Sequence, residues 1–74
     1  MEQVIVNSKE INLMQFLKWA NVVASGSEVK MLVDERLVNV NGESEYRYRR
    51  KLKHGDIVEI DNQVKLVVII NENN

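Results

Sequence analysis

The sequence predicts a small α+β fold, a helix hairpin packed on a small twisted antiparallel sheet, and three observations lead there. Two segments repeat apolar residues at spacings of three and four, the period of a helix face: Leu13, Phe16, Leu17 and Ala20, then Val29, Leu32 and Val33. From Val38 to Ile70 the apolar residues instead alternate or form short β-branched runs, broken at Asn41-Gly42, Gly55-Asp56 and Asp61-Asn62-Gln63. The chain has 74 residues, enough for one domain over 1–74 with a small core, because a chain of this length buries only about 60% of its unfolded surface.

Taken in order, Glu2 to Val6 is short and β-branched and is stopped by Asn7-Ser8, so it reads as an edge strand. The first helix begins near Asn12 and ends before Ser25, since Val22-Val23 are β-branched and disfavour continuation. Ser25-Gly26-Ser27-Glu28 matches a capping box, so a second helix starts there and runs to about Glu35 or Arg36. Val38 to Val40 alternates and stops at Asn41-Gly42, a dipeptide suited to the positive φ of a tight turn. If Glu45 to Arg49 is extended, Tyr46 and Tyr48 share one face and Arg47 and Arg49 the other. Ile57 to Ile60 and Val64 to Ile70 complete the strands, the last read as largely buried, and Asn71 to Asn74 is a polar tail.

Composition narrows the function. The chain is 45% hydrophobic and 28% charged and contains no Pro, which suits a folded soluble domain. No apolar run approaches the roughly 18 residues that cross a bilayer, and the first nine residues lack the basic start and apolar core of a signal peptide. The expectation is a cytoplasmic protein with no membrane partner. Without Cys, thiolate metal sites are excluded, and the lone His54 does not build a zinc site. No histidine pairs with a nucleophile, and there is neither a phosphate-cradling Gly-rich loop nor a carboxylate cluster, so no enzyme, cofactor or small-molecule substrate is expected.

Net charge is -1, yet five of the ten Lys and Arg residues fall between Arg47 and Lys53, a stretch without Asp or Glu. Five cations within seven positions cannot all find acidic partners nearby, and phosphate oxygens satisfy guanidinium groups bidentately. The plainer reading of such a run is a solvated face. Tyr46 and Tyr48 interleave with the arginines and could stack on unpaired bases, or face the core with their hydroxyls at its rim. Trp19 lies one step off the first helical stripe; core packing is the simpler reading, exposure as a contact the other.

The order of helix, capped helix, Val38-Asn39-Val40-Asn41-Gly42, basic segment and Gly55-Asp56 resembles the S4 domain. This small RNA-binding module is found in a ribosomal protein, pseudouridine synthases and tyrosyl-tRNA synthetases. The resemblance covers roughly Ile11 to Ile60 and is carried by Leu13, Leu17, Ser25, Glu28, Lys30, Leu32, Val33, Val38, Val40, Asn41, Gly42, Gly55 and Asp56. The arginine-rich connection is similar to that of short stand-alone bacterial members of the YaaA/YbcJ type. Two positions depart from the family: arginines common before the first helical leucine and after the capping serine are Asn12 and Gly26 here. A third is Arg36, which stands where a glycine often separates the second helix from the next strand.

The resemblance implies an S4-like (αL motif) fold and a monomeric, non-catalytic protein that binds structured RNA, ribosomal or pre-ribosomal, by shape more than by sequence. RNA-facing residues are expected at Lys30, Arg36, Arg47, Arg49, Arg50, Lys51 and Lys53, with Lys18, Tyr48 and His54 as further candidates at the rim. Lys18 and Arg36 have a plainer role as surface partners of an acid such as Glu35, and His54 as a turn residue. The rival reading is a protein-interaction module in which Trp19 and the strand at Val4 to Val6 dock a partner whose acidic surface meets the arginines.

Overall fold

A computed structural model describes residues 1–71; the polar tail beyond Asn71 lies outside the described residues. The elements are β1 (Glu2–Val6), β2 (Ile11–Asn12), α1 (Leu13–Trp19), α2 (Gly26–Asp34), β3 (Val38–Val40), β4 (Glu43–Ser44), β5 (Lys51–Leu52), β6 (Ile57–Ile60) and β7 (Val64–Ile70). They form the expected α+β arrangement of two helices and a sheet.

Both helices are where the apolar period places them, but their ends are built differently from the sequence reading. At α1 the cap is a complete box. Asn12 Oδ1 accepts from the Gln15 amide at 2.9 Å, and Gln15 Oε1 accepts from the Asn12 amide at 3.0 Å. At α2 the expected box is not made: the Ser25 side chain caps nothing, and Glu28 Oε1 reaches past the cap to accept from the Ala24 amide at 3.1 Å. Each helix closes in a Schellman motif. Asn21 and Arg36 hold φ of 60°, and the amides two residues past each C-cap, Val22 and Leu37, donate back to Leu17 and Leu32. That geometry is why a glycine suits the position of Arg36, since only glycine enters the left-handed region without a Cβ penalty.

The main sheet has the order β1-β7-β6-β3-β4, and β2 pairs separately with β5. The pairs β3/β4, β3/β6 and β6/β7 are antiparallel, as expected, but the edge strand β1 runs parallel to β7, which makes the sheet mixed. The long path that separates β1 from β7, through both helices and the intervening strands, permits this parallel pairing. The strand at 64–70 is buried on one face only: Leu66 and Val68 are buried, Val67 and Ile69 half-buried, so period two overrides the apolar run. Val4, Val6, Val38, Val40, Val58, Ile60, Leu66 and Val68 join Leu13, Phe16, Leu17, Val29 and Val33 in one core cluster.

Asn41 and Gly42 both have positive φ, 53° and 85°, and reverse β3 into β4. The Asn41 side chain also bridges to the Gly55-Asp56 turn: its Nδ2 donates to Asp56 Oδ1 at 3.0 Å, and its Oδ1 accepts from the Ile57 amide at 2.9 Å. The two turns that bracket the basic connection are therefore bonded to each other. Among the described residues no helix is long and apolar enough to cross a membrane, and no group of His, Asp and Glu is placed to hold a metal ion.

Candidate nucleic-acid interface

The connection from Glu45 to Arg50 is ordered but is not the extended segment that the alternation suggested. Glu45, only 4% exposed, turns its carboxylate back over the residues that follow. Oε2 accepts from the Tyr46 and Arg47 amides at 3.1 and 3.0 Å and from Arg47 Nε at 3.0 Å. Oε1 accepts from Arg50 Nη1 at 2.7 Å. Chiefly through the Arg47 hydrogen bond, against the opposing cost of burial, the carboxyl is held down from 4.5 to about 2. The same pairing raises the Arg47 guanidinium above its ordinary value. The other side of the loop is tied to α1, whose first amides, on Leu13 and Met14, donate to the Arg50 and Tyr48 carbonyls at 2.8 and 3.0 Å.

Three of the five cations in the basic run find acidic partners, while Arg49 and Lys53 find none among the described residues. Arg47 and Arg50 share Glu45, and Lys51 reaches Glu10 at 3.3 Å. The Lys51 bridge is open to solvent on both sides, 71% and 72% exposed, and contributes little stability. Arg47 keeps 67% of its side chain in solvent and Arg50 29%. Among the described residues Arg36, Arg49 and Lys53 are exposed and form no ion pair.

The cations gather in two places rather than in one stripe. Lys51, Lys53 and His54 line an open groove of about 430 Å³ together with Glu10 and Lys9. Arg49 joins its edge through a neighbouring groove shared with Lys51 and Gln15. The second group adjoins Tyr46, which lines one groove with Arg36 and another with Arg47 and Arg50. Lys30 lines none of these grooves; its ammonium stands 5.7 Å from the centroid of the Tyr48 ring. Lys18 is exposed on α1 and takes part in neither groove.

The two tyrosines do not share a face. Tyr48 packs against the core, and its hydroxyl donates to Asp34 Oδ1 at 2.8 Å; that bond, then burial, raises its pKa. Tyr46 is 77% exposed. His54 is occupied locally, its Nδ1 accepting from the Ile70 amide at 3.0 Å, which leaves the ring proton on Nε2. Trp19 is not core: it is 55% exposed, with Nε1 donating to the Ile5 carbonyl of the edge strand at 2.8 Å.

The positions that depart from the S4 pattern have structural work. Asn12 caps α1, and Gly26 lies against Met14, where an added Cβ would stand 3.1 Å from Sδ. Reading the sequence missed Lys9, which no motif marks, and Glu45, whose place directly before the basic run was its only signal.

This fold, with paired turns around a basic connection, is that of an S4 domain; the family matches residues 4–69, and the chain belongs to it. Among characterised proteins the chain is similar to the Probable ribosome maturation protein RlbA of Bacillus subtilis (strain 168). The two are 45% identical over 56 residues, which cover 76% of this chain and 79% of that relative.

Proposed function

We propose that the protein binds structured RNA of the ribosome or its precursors and acts by recognition, without catalysis. The observation that carries this reading is the fixed connection at residues 45–50. It is held from inside by Glu45 and by the start of α1, while the side chains of Arg47 and Arg49 remain in solvent. A basic segment whose backbone is already ordered meets phosphates without the entropic cost of ordering a loop. Membership of the S4 family and likeness to a probable ribosome maturation protein support RNA and the ribosome as the setting. Lys30, Arg36, Arg47, Arg49, Arg50, Lys51 and Lys53 are the proposed phosphate contacts, and Lys9 joins them through its groove.

The test is binding to purified ribosomal RNA as a function of salt. If about four to six phosphates are contacted at about 0.7 ion each, the log-log slope is roughly -3 to -4. Replacing Arg49, Lys51 and Lys53 together by Ala should lower the slope by about 2. Arg47 and Arg50 are left in place because removing them strands the buried Glu45 carboxylate. Unchanged binding by the triple variant rejects this surface.

A second reading, docking of a protein, is favoured by the exposed Trp19 and Ile5 beside a small groove lined by Val6, Asn7, Ser8 and Ile11. It expects a protein captured in nuclease-treated extract by the wild type and lost with Trp19→Ala.

A further inference from the structure

We infer that Tyr46 is a stacking platform for one unpaired nucleobase, with Arg36 and Arg47 placed for the phosphates on either side of that nucleotide. The inference rests on the RNA reading above and names the kind of RNA: one that presents an unpaired base, in a loop or bulge, rather than a continuous duplex.

Four observations carry it. Tyr46 is the most exposed large hydrophobic residue among the described ones, at 77%, and its side chain makes no hydrogen bond to any of them, so among these residues it serves neither the core nor a surface bond. Its backbone is nevertheless fixed, because the Glu45 carboxylate accepts from the amides of both Tyr46 and Arg47. The ring is therefore displayed from an ordered segment. It also lines two grooves, one of about 380 Å³ shared with Arg36 and one of about 270 Å³ shared with Arg47 and Arg50. An aromatic ring with a cation in each adjoining groove suits a nucleotide in a strand, whose apolar base face is flanked by phosphates. Finally, Tyr48 is unavailable for this role, since its hydroxyl is bonded to Asp34 and its ring packs on the core.

The acids nearby do not close the site to an anion. Glu45 is matched by two guanidinium groups, and Asp34 accepts the Tyr48 hydroxyl. Glu43, exposed in the second groove, is the one carboxylate there that forms no ion pair among the described residues.

The experiment compares two RNA probes at low salt: a stem closed by an adenine-rich loop carrying 2-aminopurine, and the same stem as a blunt duplex. The wild type should prefer the stem-loop and quench the 2-aminopurine. Tyr46→Ala should weaken stem-loop binding about ten-fold and abolish the quenching, with duplex binding unchanged. Tyr46→Trp should retain both signals, and its thermal unfolding and that of Tyr46→Ala should match the wild type because the side chain is exposed. If Tyr46→Ala binds the stem-loop as the wild type does, or loses stem-loop and duplex equally, stacking is overturned while RNA binding stands. If the wild type binds neither probe nor ribosomal RNA, the RNA reading falls and this inference falls with it.

Discussion

At Glu45 a nearly buried carboxylate faces two guanidinium groups and two backbone amides, and its ionised form is a condition of the loop's shape. Because the carboxyl titrates near 2 in the fold, against an ordinary 4.5, its stabilisation is complete above about pH 4.5 and is lost as pH falls toward 2. The shift caps this contribution at about 3 kcal/mol, and the solvent around Arg47 reduces it to about 1–2 kcal/mol. Urea unfolding should show a falling midpoint across that pH window, and Glu45→Gln should be less stable at neutral pH, with a flatter acid limb. Arg36 makes the opposite case. Its left-handed φ costs about 1–2 kcal/mol, and the extra unfolded-state freedom of glycine returns about 0.4–1 kcal/mol. Arg36→Gly should therefore raise stability by about 0.5 kcal/mol while weakening RNA binding. A variant that gains stability and keeps full affinity removes Arg36 from the proposed site.

Among the elements, α1 shows how little local information a short helix needs when its ends are well made. It has seven residues, too few to persist in isolation, yet it has a complete capping box, a Schellman close and three buried apolar side chains. Asn12→Ala should cost about 1 kcal/mol in urea unfolding, since it removes the Gln15 amide's acceptor. The helix period of Leu13, Phe16 and Leu17 was legible in the sequence, and so were the Asn41-Gly42 reversal and the edge position of β1. The connection at 45–50 was not. Its alternating tyrosines and arginines satisfy the rule for a strand, but a hydrogen-bonding carboxylate at its start outweighs a propensity worth a few tenths of a kcal/mol per residue. This one departure separates Tyr46 from Tyr48 and splits the cations into two groups.

For the whole molecule the margin is small. At about 0.05–0.15 kcal/mol per residue the net stability is about 4–11 kcal/mol. Phe16, with none of its surface exposed, is the largest side chain of the core, and Phe16→Ala should cost about 3–5 kcal/mol. Circular dichroism melting should find the midpoint of this variant lowered by about 12–40 °C, at about 4–8 °C per kcal/mol. The class of fold, the two helices, the turns and the clustering of positive charge follow from spacing and residue type, because periodicity and turn chemistry act over a few neighbours. The parallel edge strand, the partial exposure of Trp19, the entry of Lys9 into the Lys51–Lys53 groove and the pairing of Arg47 and Arg50 with Glu45 depend on the folded arrangement. Some join residues far apart in the chain; others turn on which way one side chain points, and short-range patterns determine neither.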